Sequence, residues 1–361
     1  MKARIQRIFE NVQEDVDAIV IINDIEPNLD VNFFYATGAV SGLFENAAAV
    51  LGPEGNVDLI CHQLEETSGR ATDADLKTYS RKAERDAILR KRLSGMKRIG
   101  ISGGGLTFRV AEELRKLTDA KLVDVNKGLE MARLVKDEKE LDCTREACRI
   151  GARVAEELPG LLRDGVKEYE LAAEVNFRMQ KAGASGPAFA TNSSFGPNAA
   201  EPHHSPDGNE LRKGDAALFD FGALSGRYCS DITRTYFFGS ASPKMKRMYA
   251  VVQEAQSAAI AVMKSGVNGK DVDEAARKVI DSSEFKGLFI HSLGHSIGLS
   301  VHDGGRMAPE TDLILRENMV FTVEPGVYVR GKGGVRIEDD VRVTSRGVEV
   351  LTQASRDLRV V

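Results

Sequence analysis

Tryptophan is absent from the 361 residues, and cysteine is scarce, with only Cys61, Cys143, Cys148 and Cys229. The lack of tryptophan bears on no function. Four cysteines are too few to read as a disulfide framework in a chain of this length. Cys143 and Cys148 lie five apart in a helical stretch, where their side chains diverge by roughly 140°, so they are not expected to share a metal. No apolar run approaches the roughly 18–20 residues of a membrane span, and no membrane partner is expected. Positive charge is not in excess: 49 Lys and Arg stand against 54 Asp and Glu, a net charge of −5. That balance excludes a general electrostatic nucleic-acid binder. The N-terminal Met1–Glu10 lacks an apolar signal region and reads as an amphipathic helix. A cytosolic, cytoplasmic protein is therefore expected.

What remains is an ordinary globular composition, 42% hydrophobic and 29% charged, long enough for two domains. Residues 1–127 alternate short apolar runs with polar helical stretches. Asp17–Ile22, Val31–Thr37, Asn46–Leu51, Val57–His62, Arg98–Ser102 and Lys121–Val125 predict strands. Arg81–Leu93 and Leu106–Leu117 predict helices. This alternation implies a mixed α/β layer. Gly103-Gly104-Gly105 lies between a strand and a helix but lacks the dinucleotide fingerprint spacing, and reads as a flexible turn. The composition then turns charged and helical, which places a domain boundary at 127/128. In residues 128–361, helices are expected to about Arg163, over Glu168–Lys181, over Ser242–Lys264 and within Gly269–Ile280. Strands are expected at Pro187–Ser194, Ala216–Phe221 and Asp231–Phe238.

An internal correspondence stands out. Leu211-Arg212 precedes Asp220 as Leu315-Arg316 precedes Glu324, at the same intervals. Each acid is followed two positions on by glycine, Gly222 or Gly326, and later by a second acid, Asp231 or Glu338. Two facing copies of one hairpin would gather four carboxylates at a common centre. Asp220 and Glu324 follow apolar runs, so these acids are expected to be buried and to need a cation or strong hydrogen bonds. Two divalent cations balance four carboxylates, and His295 adds a neutral nitrogen. Bridging carboxylates holding two ions ~3.5–4 Å apart form a recognised hydrolytic arrangement. Arg336 shares a strand face with Glu338 and suits a ligand carboxylate.

The motifs resemble those of the metal-dependent pita-bread peptidases, the group of methionyl aminopeptidase, aminopeptidase P and proline dipeptidase. The residues that carry the likeness are Asp220 in Asp-Phe-Gly, Asp231 in Ser-Asp-Ile-Thr-Arg-Thr, His295 in His-Ser-Leu-Gly-His, Glu324 in Glu-Pro-Gly and Glu338 in Arg-Ile-Glu-Asp. The leading domain resembles the creatinase-type domain that proline-directed members carry. The resemblance implies an α/β creatinase-like domain over 1–127 and an α+β pita-bread catalytic domain with a pseudo-twofold internal repeat over 128–361.

It further implies that Asp220 chelates one ion, Asp231 and Glu338 bridge both, and His295 and Glu324 complete the other. A hydroxide between the ions would attack the carbonyl before proline, with Glu324 as general base and proton shuttle. His302 and His291 would steady substrate and the tetrahedral intermediate. His203 would stand at the proline side, and Arg306 would hold the product-side carboxylate. His204, adjacent in an extended loop, would point elsewhere, and Cys229 reads as a small filler. The implied function is a dinuclear Xaa-Pro dipeptidase acting on small peptides with proline second. The alternative is an Xaa-Pro aminopeptidase acting on longer peptides. A non-catalytic binding module, or a metal-free creatinase-like enzyme, is disfavoured because all five ligands are present. Two divalent ions per chain (Mn, Co, Zn or Fe) and a homodimer are expected.

Overall fold

The computed structural model describes all 361 residues. The chain divides into two units, Met1–Arg133 and Leu134–Val361, each with its own core.

The first unit runs α1 (Lys2–Asn11), β1 (Ala18–Ile22), α2 (Val31–Thr37), β2 (Ala48–Leu51), β3 (Val57–His62), α3 (Glu66–Arg70), β4 (Asp75–Tyr79), α4 (Lys82–Leu93), β5 (Arg98–Ile101), α5 (Phe108–Arg115), β6 (Lys121–Asp124) and α6 (Asn126–Leu134). Its six strands form one mixed sheet in the order β4-β3-β2-β1-β5-β6. The apolar run Ala18–Ile22 is buried on both faces at the centre, as a central strand with covered faces requires.

Three elements depart from the sequence reading, the short helix α3 (Glu66–Arg70), which was not expected, among them. Val31–Thr37, β-rich in composition, is a helix. The Asp30 side chain accepts from the Asn32 N–H (2.9 Å) and starts it, while Gly38 at φ 68 ends it. With Phe33, Phe34 and Tyr35 all buried, caps and packing override strand propensity. β4 was not expected, being a polar edge strand with little apolar alternation. Helix α6 runs through residue 127, and the first unit continues to Arg133. The Tyr35 hydroxyl donates to the Ala132 carbonyl (2.9 Å), and Arg133 bonds the Asn32 side chain.

The second unit opens with α7 (Glu138–Glu157) and α8 (Glu168–Lys181). Asp137 and Glu140 form a reciprocal capping box at the start of α7. Its Leu141, Thr144, Cys148, Gly151 and Val154 line one buried face. Then follow β7 (Gly186–Pro187), β8 (Asn192–Phe195), β9 (Ala216–Phe221), β10 (Ala223–Ser225), β11 (Tyr228–Cys229), β12 (Ile232–Phe237), α9 (Pro243–Val262) and α10 (Gly269–Asp281). The remainder is β13 (Gly294–His295), β14 (Arg306–Met307), β15 (Val320–Val323), β16 (Gly326–Val329), β17 (Gly333–Arg336), β18 (Asp339–Val343) and β19 (Val348–Val350). The strand expected over Pro187–Ser194 divides because its two ends join different sheets: β7 pairs with β10, and β8 with β9.

The repeat takes physical form as two nested hairpins. β9 pairs with β12 around the inner pair β10–β11, and β15 pairs with β18 around β16–β17. Asp220 lies at the end of β9, and Glu324 directly follows β15. Asp231 directly precedes β12, and Glu338 directly precedes β18. The halves meet where the Glu338 N–H donates to the Thr233 carbonyl (3.1 Å) and the Arg336 N–H donates to Thr235 Oγ1 (3.2 Å).

Arg234 locks this junction. Its guanidinium donates to the carbonyls of Thr233 (2.9 Å) and Glu338 (2.6 Å) and to Asp339 Oδ1 (2.8 Å), all buried, and to the part-buried carbonyls of Ser355 (2.9 Å) and Ala354 (2.9 Å). Arg234→Met would leave those acceptors and half of the Asp339 pairing unmet. The expected cost is about 3–5 kcal/mol of stability, read by urea unfolding. A loss below about 1 kcal/mol would mean the junction does not depend on this pair.

Candidate metal centre

Strand ends and the loops beyond them deliver the polar side chains to one cavity of about 780 Å³. Asp220, Asp231, His295, Glu324 and Glu338 line it together with His203, His291, His302 and Arg306, so the structure brings all nine sequence-predicted site residues together. The turn glycines are sterically required. A Cβ at Gly222 would stand 1.8 Å from the Ser230 carbonyl oxygen, and one at Gly326 would stand 2.3 Å from Tyr328 Oη.

The inner cluster is nearly dry. Glu338 is 1% exposed, Asp231 4% and His295 8%. Ligand atoms of Asp231, His295 and Glu338 lie within 4.8 Å of one another. His295 Nε2 is 3.4 Å from Glu324 Oε1 and 3.8 Å from Asp231 Oδ2. His295 Nδ1 lies 3.3 Å from the Ser296 carbonyl. A carbonyl only accepts, so the proton sits on Nδ1 and the Nε2 lone pair faces the acids. Burial pushes the imidazole down to about 3, with His302 adding to the fall, which keeps it a neutral ligand.

The carboxylates are incompletely satisfied. Asp220 Oδ2 accepts from Arg336 Nη2 (2.6 Å), Glu338 Oε2 from Thr233 Oγ1 (2.6 Å) and Glu324 Oε1 from Thr322 Oγ1 (3.2 Å). Asp220 Oδ1 and Asp231 Oδ1 are buried with no donor. Burial and then Glu338 and Asp220 raise the Asp231 carboxyl. Burial and then Glu324 and Asp220 raise that of Glu338. Burial lifts Glu324 to about 8, against the opposing pull of Arg336. Orphaned oxygens, mutual repulsion and one lone-pair nitrogen form a hard-to-borderline O/N donor set, and it fits divalent cations.

The outer residues differ in freedom. The His302 ring stands edge-on to His295 with centroids 4.1 Å apart. The exposed Arg306 guanidinium is held only by Ser292 Oγ at 3.4 Å, leaving donors for a ligand. His203 makes no side-chain hydrogen bond. His291 is fully engaged: Nδ1 donates to the Ser292 carbonyl (2.9 Å), and Nε2 accepts from the Tyr328 hydroxyl (2.9 Å). Tyr328 Oη in turn accepts from Arg336 Nη1 (2.9 Å), and Arg336 Nε donates to Thr233 Oγ1 (2.9 Å). This chain joins His291 to Asp220 and Glu338, yet Tyr328 carried no role in the sequence reading. Its one signal is its place four residues after Glu324. Asp340 was likewise missed: its Oδ2 accepts from the Asp231 N–H (2.8 Å) and from Cys148 Sγ (3.2 Å). Cys229 is buried, and burial pushes its thiol up, in keeping with a filler role.

The raised acids give metal-free protein an unusual pH response. Glu324 moves from an ordinary 4.5 to about 8 on folding. Across that window the folded chain holds a proton that the unfolded chain releases, so stability falls as pH rises. Chelator-treated protein is expected to melt at lower temperature at pH 8 than at pH 5. Added divalent cation, binding the folded state alone, is expected to shrink the difference. A melting temperature that is flat or rising over this range without metal would contradict the burial of these acids.

Comparison with known proteins agrees with the geometry. Residues 142–345 match the family model of metallopeptidase family M24, and residues 3–135 match that of the creatinase/prolidase N-terminal domain. The chain is 34% identical over 361 residues to an Xaa-Pro dipeptidase of Pyrococcus horikoshii, covering 99% of each. Among solved structures it resembles an Xaa-Pro dipeptidase from Bacillus anthracis (TM-score 0.92, 29% identity, 99% of each chain). It also resembles an X-Pro aminopeptidase from Thermotoga maritima (TM-score 0.90, 32% identity, 98% of this chain and 100% of that one). With four carboxylates at the strand ends of two nested hairpins, a histidine from β13 beside them, and a creatinase/prolidase N-terminal domain earlier in the sequence, the chain belongs to metallopeptidase family M24.

Proposed function

We propose that the chain is a dinuclear metal-dependent Xaa-Pro dipeptidase, hydrolysing the bond before proline in dipeptides, with its catalytic residues confined to 128–361. The observation that carries the reading is the buried acid cluster with two donorless oxygens, opening onto an unsaturated arginine. In this reading Asp220, Asp231, His295, Glu324 and Glu338 would together hold the two ions. When bound, the cations supply Lewis acidity and ease proton loss from water.

The chain's own groups do the rest. Glu324, restrained by one threonine hydroxyl, takes a proton from water and returns it to the departing proline nitrogen. His302 and His203 orient the peptide, and the ring of His291, fixed by Tyr328, walls the cavity beside them. Arg306 grips the free carboxylate after proline through its unused N–H groups. The proposal extends to Mn, Co, Zn or Fe as the metal, and to a homodimer in the cytoplasm.

The Thermotoga likeness favours a second reading, an Xaa-Pro aminopeptidase acting on longer peptides. Arg306 separates the two, because only a dipeptide places its terminal carboxylate directly after proline. Metal-loaded enzyme is expected to cleave an Xaa-Pro dipeptide and to lose that activity on chelation. Good cleavage of Xaa-Pro-Yaa with negligible dipeptide turnover would select the aminopeptidase.

Two variants sharpen the assignment. Asp231→Asn is expected to lower kcat beyond the about 100-fold that loss of an outer hydrogen-bond partner costs, with the circular-dichroism spectrum kept. A fully active variant would remove Asp231 from the centre. Arg306→Ala is expected to raise KM for the dipeptide by about 10–100-fold and to change kcat little. An equal effect on a tripeptide would deny Arg306 its carboxylate role.

A further inference from the structure

One buried carboxylate outside the cavity gathers more donors than any acid within it. Glu168, the first residue of α8, is 0% exposed. Its Oε1 accepts from the Phe195 N–H (2.7 Å), Asn198 Nδ2 (3.0 Å) and Asn209 Nδ2 (3.2 Å). Its Oε2 accepts from His204 Nε2 (2.7 Å) and the Asp207 N–H (3.1 Å). Every donor lies between residues 195 and 209, the excursion from β8 to β9 that carries His203.

Other contacts close the neck of the same loop. The Glu168 N–H donates to the Asn209 carbonyl (3.1 Å), and Asn209 Nδ2 also donates to the Phe195 carbonyl (3.1 Å). Within the loop, Asn192 Nδ2 holds the Pro202 carbonyl (3.3 Å), one residue before His203. Glu168, His204 and Asp207 also present ligand atoms close together, as a metal site would. Five donors already meet the roughly four lone-pair sites of a carboxylate, however, and no oxygen of Glu168 is left over, in contrast to Asp220 and Asp231. This is a hydrogen-bond hub rather than an ion site.

We propose that Glu168 is a positioning residue for His203: by collecting the 195–209 loop onto one buried carboxylate, it sets where the His203 ring stands at the cavity. The proposal rests on reading the cavity as the site of Xaa-Pro hydrolysis. His203 makes no side-chain hydrogen bond, so the hydrogen bonds that place it act only through the backbone of its loop. His204, its neighbour, serves as one of the anchors and not as a second cavity histidine.

The test is a mutant cycle with a spectroscopic arm, on full-length metal-loaded protein. Glu168→Gln keeps one carbonyl acceptor for the Oε1 donors. His204→Ala removes one largely buried anchor, its side chain 11% exposed, and leaves the other four donors to Glu168 in place, so a folded protein is expected to remain if the first variant fails to fold. Each is expected to lower kcat/KM on an Xaa-Pro dipeptide, by up to the about 100-fold that a 1 Å misplacement costs. Neither is expected to cost anything further in a His203→Ala background, and bound metal is expected to stay at the wild-type level. An equal loss with and without His203 would assign Glu168 a merely structural role and overturn the proposal. In ¹⁵N-histidine spectra, the His203 ring signals are expected to shift or broaden in both variants while those of His295 hold. Unmoved His203 signals would likewise overturn it. This arm needs no turnover, so wild type inactive on the dipeptide would count against the proposed substrate while the spectra still decide the role of Glu168.

Discussion

Like charge in a dry place is the constraint from which the second unit follows. Atoms of Asp231 and Glu338 approach within 4.8 Å, where two charges repel by roughly 3–4 kcal/mol at an effective dielectric near 20. Asp220 and Glu324 add to that field, and Arg336 is the one guanidinium hydrogen-bonded into it. A fold that must hold these groups together cannot rely on their attraction. It relies on backbone that has nowhere else to go. Each acid sits at or beside a strand end whose ladder is fixed by apolar runs such as Ala216–Phe219 and Val320–Val323. The hydrophobic energy of those strands opposes the repulsion, and a cation relieves it.

The duplicated hairpin is an economical solution to that problem. One nested pair supplies two acids, and a second copy facing it supplies two more, so the cluster forms only when both halves are folded and docked. The docking is itself polar. Thr233 gives its carbonyl to the Glu338 N–H and its hydroxyl to the Glu338 carboxylate. Arg234 ties the carbonyls of both residues to Asp339. Arg336 reaches back from the second half to Asp220 of the first. Residues one apart on the strands thus alternate between the cavity and the buried seam behind it, which is the period-two geometry of a strand put to two uses.

That alternation also explains how much was legible beforehand. The acids were readable because an ionisable residue after an apolar run is costly unless it has a purpose, and because the cost recurs at matching intervals. The helices α4, α8, α9 and α10 were readable as polar helical stretches, with Pro243 marking the start of α9 and Gly183 the end of α8. Val31–Thr37 was not, because its β-rich residues are overruled by an aspartate cap and by burial on all sides. Tyr328 looked like one more strand aromatic, and its hydroxyl acquires meaning only when His291 and Arg336 arrive from elsewhere. Glu168 looked like an ordinary charged residue in a first helical turn. Its partners lie 27 to 41 positions away, and no local pattern foretells them.

The division between strand-borne and loop-borne residues carries over to the chemistry. Groups that would meet an ion sit on or beside strands, where error in position is smallest. Groups that would meet the peptide, His203, His302 and Arg306, lie on or at the edge of loops, where binding residues gather and change most freely. Loops are also where placement is lost most easily. The structure answers with buried charge at the loop roots. Glu168 collects the loop of His203, and Lys136 pairs at 3.4 Å with Asp303, the neighbour of His302, both 1% exposed. A buried pair contributes little net stability, since desolvation offsets most of its attraction. What it does supply is one preferred geometry, because each alternative leaves a charge unpaired. The loops around this cavity are therefore held by interactions chosen less for strength than for the penalty on every other arrangement.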